Sequence, residues 1–182
     1  MTLRARIPKK TIEQARRFAD QVYEARGLNP DKFQRGDEHA ADVRGFEVEF
    51  AHAYAYGLPY PTLKKGKEVD KGYDCFMALE RNGTLVKLKT DIKASPQLLV
   101  NQDQYKKAKT NIYLFENMQF LNWERDIMYL QIHGWIYHHE VPEHSQLIPF
   151  KNGSTAYKIN KLRLHSPTQL YALTKPIKDV KP

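Results

Sequence analysis

Cysteine is nearly absent: Cys75 is the only one in 182 residues. A lone thiol excludes an internal disulfide framework and a thiolate zinc cluster. No apolar run is long enough to span a bilayer, and the N-terminal residues Met1 to Ile7 lack an apolar signal core. Internal repeats and low-complexity segments are missing as well. These absences lead to the expectation of a soluble, cytoplasmic protein. At this length it should fold as one domain with a core of its own.

Negative charge is the second scarcity. Asp and Glu number 21 against 29 Lys and Arg, for a formal net charge of +8. The excess is uneven. From Lys151 to the C-terminus there are seven Lys/Arg and a single acid, Asp179. Arg4, Arg6, Lys9, Lys10, Arg16 and Arg17 make the N-terminal segment basic too. This distribution favours a polyanionic partner, most simply nucleic acid. A generic solubilising surface is the alternative.

Against that background the stretch Thr84 to Ser95 stands out. It reads as one β-strand, with Val86, Leu88, Thr90 and Ile92 on a core-forming face and Lys87, Lys89, Asp91 and Lys93 on the other. An acid and a lysine two residues apart on a strand point the same way. Asp91 and Lys93 can therefore act on one phosphate or one metal-bound water. A solvated edge strand would carry lysines too. Upstream, Tyr73 to Glu80 reads as a strand, and Asn82-Gly83 signals a hairpin turn. Folding about that turn brings Asp74 opposite Asp91 within a residue or two. Two carboxylates side by side repel unless a divalent cation sits between them.

Elsewhere the periodicity predicts a helix over about 11–26 (Ile12, Ala15, Ala19, Val22, Tyr23 inward). A second runs over about 41–56 and is stopped by Gly57. On the second, Glu49 borders the apolar stripe of Phe46, Phe50 and Ala53, and Glu47 lies further round. Residues 64–71 form a charged loop. Leu98 to Val100 reads as extended, 101–110 as a basic helix with Lys106 and Lys107, and 111–116 and 126–137 as strands, the latter kinked at Gly134. Strands over 146–150 and 155–159 flank a turn at Lys151-Asn152-Gly153, with Leu162-Arg163-Leu164 extending the second arm. Ser166-Pro167-Thr168-Gln169 has the form of a helix start. His133, His138, His139 and His144 match no established zinc spacing. Trp123 and Trp135 read as core residues.

The order of helix with Glu49, strand with Asp74, hairpin, strand with Asp91-Ile92-Lys93, then helix and strand resembles the PD-(D/E)XK nuclease superfamily. The matching segments are Gly45 to Ala51, Gly72 to Cys75 and Asp91 to Ser95, and Ile132 to Ile136 looks like the strand that follows the core. The resemblance covers roughly Ala41 to Ile136. Tyr73 stands where the motif's name has proline. The resemblance implies an α/β (α+β) fold, a restriction-endonuclease-like mixed central sheet flanked by helices. Within a single nuclease domain, 1–40 would be a basic helical arm, 41–136 the catalytic core, and 137–182 a C-terminal hairpin and short helix.

The implied activity is Mg²⁺-dependent hydrolysis of DNA phosphodiesters, with Mn²⁺ able to substitute, in a restriction-type or phage endonuclease acting in the (host) cytoplasm. Glu49, Asp74, Asp91 and Lys93 would be catalytic. Asp74, Asp91, the Ile92 carbonyl and Glu49 would hold metal. Lys87, Lys89, Lys64, Lys65, Lys106 and Lys107 would contact DNA, and a homodimer would let two sites cut both strands. The competing expectations are a junction or flap nuclease and a catalytically silent nucleic-acid-binding module. The silent module would use the basic termini with Tyr54, Tyr56, Tyr60 and Tyr105.

Overall fold

The structure, a computed structural model, describes residues 2–25, 37–62, 73–95, 97–150 and 153–172, with the backbone alone for 37–41. It is a mixed α+β fold. Nine strands and three α-helices are described, in the order β1 (Leu3–Arg6), α1 (Lys9–Ala25), α2 (Asp37–Tyr56), β2 (Cys75–Arg81), β3 (Thr84–Ala94), β4 (Leu99–Asn101), α3 (Gln102–Lys107), β5 (Ile112–Asn122), β6 (Ile127–Tyr137), β7 (Ser145–Pro149), β8 (Thr155–Ile159) and β9 (Leu170–Ala172). One sheet has the order β1-β6-β5-β3-β2-β9, and a smaller one the order β4-β8-β7. No helix among the described residues is long and apolar enough to cross a membrane. The chain divides into two compact units. One comprises 1–3, 70–117 and 131–182, and the other 4–69 and 118–130.

In the second unit α1 buries Thr11, Ile12, Ala15, Ala19 and Tyr23, the 3.6-residue stripe expected of it. Phe18 on α1 meets Phe46 and Phe50 on α2 with ring centroids 5.1 and 5.3 Å apart. Glu47 and Glu49 of α2 fall differently from expectation. Glu47, not Glu49, is the buried one (4% exposed), and Arg16 Nε donates to its Oε1 at 2.6 Å. Rotation about the α2 axis is set by where α1 packs, which periodicity within α2 alone does not reveal. Gly57 ends α2 with φ +64°. Its N–H donates to Tyr54 O, and the next amide, Leu58 N, to Ala53 O. That is the glycine-capped double bond of a Schellman end. Trp123, expected in a core, is half-buried in the β5–β6 turn, with Lys9 Nζ 4.8 Å and the Arg16 guanidinium 4.6 Å from its ring.

In the first unit β2 and β3 form the expected hairpin. Arg81 pairs with Thr84, and Asn82 and Gly83 both take positive φ (51° and 75°), the primed turn that suits the strand twist. β3 then runs parallel to β5, with Asp91 beside Tyr113 and Lys93 beside Phe115. A parallel pair needs a crossover, and β4 with α3 supplies it. Side chains paired this way share a face. That face carries the core of Leu98, Val100, Tyr113, Phe115, Ile136, Val141 and Ile159. Trp135 belongs to the buried core as expected, at 1% exposure.

The C-terminal expectations are corrected in two places. Lys161–Arg163 is a 3₁₀ turn and not an extension of β8, because the Asn160 side chain accepts from Leu162 N and folds the backbone back. Pro167–Gln169 is a single 3₁₀ turn, after which the chain enters β9 beside β2. Pairing with β2, far back in sequence, outweighs the local helix-start signal. β1 and β9 went unread for that reason, being short strands whose partners are distant.

Candidate functional site

The site forms where the β2–β3 hairpin opens. Cys75 pairs with Thr90, the last pair of the hairpin, and Asp74 lies just before β2 with its side chain reaching β3 at Ile92, next to Asp91. β2 begins at Cys75, so the Ile92 amide has lost its strand partner there. Asp74 supplies one: Ile92 N donates to Asp74 Oδ2 at 2.6 Å, and Asp74 N donates to Thr90 O at 2.9 Å. This fixes the Asp74 carboxylate against β3.

Two residues along β3, Lys93 Nζ lies 2.8 Å from Asp91 Oδ2, each side chain 17% exposed. Such a pair is far less screened than a surface ion pair. Lys93 Nζ also donates a long bond to Gln104 Oε1, at 3.5 Å. Gln104 is placed by the start of α3, where Asn101 Oδ1 accepts from the amides of Asp103 and Gln104 and caps the helix. Behind the pair lies the Tyr113 ring, 5.6 Å from Lys93 Nζ. The Tyr113 hydroxyl hydrogen-bonds His138 Nδ1 at 3.0 Å, and His138 stacks on Tyr105 of α3 at 4.2 Å. Burial, then the charge of Asp91, then Tyr105 push the Tyr113 phenol well above its ordinary pKa. Burial, and secondly His139, hold the His138 ring below its ordinary value, with Asp91 acting in the opposite sense.

The other expected residues sort as follows. Lys87 and Lys89 share the Asp91 face, but their ammonium groups lie over Phe76 (3.8 Å) and Tyr73 (5.5 Å). Lys106 and Lys107 are exposed on the last turn of α3. Lys64 and Lys65 lie outside the described residues. Glu49 is half-buried on α2, in the helical unit. Gln104 and Tyr113 were not singled out from sequence, and His138 only among the histidines weighed as zinc ligands. Gln104 had a signal, since an Asn cap at 101 fixes which residue follows three positions on. Tyr113 and His138 had none, because the parallel register that sets Tyr113 beside Asp91 depends on the path of the crossover. Glu116, fully buried, was also unread; alternation puts it on the face opposite Asp91 and Lys93.

Among the described residues no group of three or more His, Cys, Asp or Glu side chains converges as a metal cage. Three of the four histidines considered for zinc are otherwise engaged: His133 with Asn117, His138 with Tyr113, and His139 stacked on Tyr137. What remains is two aspartates at the open end of the hairpin, Asp91 on β3 and Asp74 bonded to the next amide of that strand, Ile92 N. Mg²⁺ uses one or two carboxylates and completes its shell with water and substrate phosphate, so Asp74 and Asp91 fit that ion and not a dedicated cage. Comparison with family models, curated proteins and solved structures finds no match to the chain.

Proposed function

We propose that the chain is a metal-dependent DNA endonuclease of the PD-(D/E)XK type. One observation carries the reading: the Asp74 carboxylate is bonded to the Ile92 amide, the position between Asp91 and Lys93, and Lys93 is ion-paired to Asp91. The topology is compatible with it: an Asp-x-Lys strand in a hairpin, a helical crossover and a strand parallel to it would suit a restriction-endonuclease-like mixed sheet.

Asp74 and Asp91 would hold Mg²⁺ or Mn²⁺, which when bound neutralises phosphate charge and acidifies water. Asp74 is oriented by the Ile92 amide. Lys93, held by Asp91 and Gln104, presents an ammonium group where negative charge develops on a phosphate oxygen. Glu49 as a third acid, Ile92 O as a ligand, and Lys87, Lys89, Lys106 and Lys107 as DNA contacts rest on the sequence resemblance and charge. A homodimer cutting both strands belongs to the same proposal.

A second reading, the silent binding module, is favoured by the satisfied state of the acids: Lys93 already pairs Asp91, and the Ile92 amide already bonds Asp74. The two readings separate in one assay. Supercoiled plasmid, linear duplex, single strand and a branched junction are incubated with Mg²⁺, Mn²⁺ or EDTA. Wild type is compared with Asp91→Ala and Lys93→Ala. The nuclease reading expects metal-dependent cleavage that falls by at least about 10²-fold in both variants. No cleavage of any substrate, with DNA binding indifferent to EDTA, would leave the binding module standing.

A further inference from the structure

The C-terminal part of the first unit carries a second feature that the Asp74/Asp91/Lys93 site does not use. From His144 through Lys178 the sequence contains no acid. Within this stretch, Lys161-Leu162-Arg163 forms a knuckle in which Leu162 is 91% exposed, the most exposed of the large hydrophobic side chains described. Isolated exposed leucines are ordinary. This one is distinguished by how firmly it is held. Arg163 N donates to Asn160 O at 2.9 Å, Asn160 Oδ1 accepts from Leu162 N at 3.0 Å, and Asn160 N donates to His144 O at 3.0 Å.

On the far side a two-bond backbone bridge ties His165 to Trp135 (2.8 and 3.2 Å), and the His165 ring stacks on Trp135 at 4.4 Å. Gly134 makes that approach possible. A Cβ there would lie 2.6 Å from His165 O and 2.9 Å from Leu164 Cβ. The knuckle is therefore built rigid with an apolar tip between two cations.

Beside it lies an open, concave patch of about 470 Å³. Its lining includes His144, Gln146, Lys158, Asn160 and Arg163, with Glu143 the single acid. Gln146 and Lys158 are register partners on β7 and β8. Amide and cationic donors in a basic concavity suit phosphate oxygens. A rigid apolar tip flanked by cations is the chemistry by which proteins wedge a base step from the minor groove.

We infer that this knuckle and patch are a second duplex-DNA contact, with Lys158 and Arg163 on the phosphate backbone and Leu162 as a wedge in the minor groove. It rests on the nucleic-acid reading above for its choice of polyanion. The test is titration of a short fluorescent duplex in EDTA, over a range of salt, with wild type, Lys158→Gln/Arg163→Gln and Leu162→Ala. The double variant should bind about tenfold or more weakly near physiological salt. Its log–log salt slope should be shallower by about 2, roughly 0.9 for each phosphate no longer neutralised. Leu162→Ala should keep the slope but abolish the 2-aminopurine fluorescence rise that reports unstacking.

Wild-type affinity, slope and unstacking in both variants would overturn the inference. So would loss of binding to phosphatidylserine vesicles with duplex affinity unchanged, which would assign the surface to an anionic membrane. If a variant loses its urea midpoint, formaldehyde crosslinking of the wild-type chain to duplex decides. Crosslinks at Lys158 and Lys161 are expected, and their absence overturns the inference. EDTA keeps the outcomes separate: binding lost in the double variant in EDTA, while wild type cleaves nothing with Mg²⁺ or Mn²⁺, would retain this surface and sink the nuclease reading.

Discussion

At the scale of single residues, the first unit places polar side chains where each needs a particular partner. His133 is the clearest case. Its Nε2 bonds Asn117 Oδ1, and its Nδ1 is buried with no partner among the described residues. Burial, and then the charge of Lys161, hold its pKa below the ordinary histidine value. A histidine depressed on folding binds fewer protons than in the unfolded chain. Its contribution is therefore present above the unfolded pKa, about 6.5, and is lost as pH falls below that toward the folded value. The expected outcome is a urea midpoint that drops between pH 7.5 and 5.5 in wild type and drops less in His133→Gln. An identical pH dependence in the two proteins would show that His133 does not titrate in this way. Tyr113 behaves differently. Its raised pKa keeps the phenol protonated throughout this range, so it remains a hydrogen-bonding partner for His138. Tyr113→Phe should remove that partner and lower stability by about 1–3 kcal/mol, read from urea unfolding at pH 7.5.

At the scale of elements, two glycines separate backbone conformation from packing. Gly83 has φ +75° in the hairpin turn, and an added Cβ would meet nothing within 4 Å. Gly83→Ala should cost about 1–2 kcal/mol, from the left-handed backbone alone. Gly134, at φ +142°, adds the collision with the Leu164–His165 segment. Gly134→Ala should combine about 1–3 kcal/mol of backbone strain with a further 1–3 kcal/mol or so of overpacking. Urea denaturation of the two variants should rank them in that order, and equal losses would mean that the His165 bridge yields freely. The hairpin was legible because a two-residue Asn-Gly turn dictates its own register. The kink at Gly134 was legible as a glycine within a strand. What approaches it was not, because Leu164 and His165 arrive from thirty residues on.

At the scale of the whole molecule, the net charge of +8 acts together with the two aspartates of the site. On the proposed reading, Asp74 and Asp91 would repel phosphate without a divalent ion while the basic C-terminal region would attract it. Duplex affinity should therefore be measurable in EDTA, fall steeply with salt, and rise when Ca²⁺ is added. In Asp74→Asn/Asp91→Asn the dependence on Ca²⁺ should vanish and the EDTA affinity should be at least that of wild type. Fluorescence anisotropy in the two buffers measures this. A double variant that still tightens with Ca²⁺ would move the metal site elsewhere.

Local chemistry was enough to determine the β2–β3 hairpin and its register, the shared face of Asp91 and Lys93, and the stop at Gly57. Each follows from neighbours a few residues apart, through strand alternation or turn geometry. Tertiary structure alone decided which acid of α2 is buried, because that depends on where α1 packs. It also decided that Tyr113 lies beside Lys93 with His138 bonded behind it, because a parallel register is set by a crossover and not by a turn. The same holds at the C-terminus, where long-range pairing with β2 set β9 where a helix start was read. Contacts made across the sequence outweighed the local propensities that pointed elsewhere.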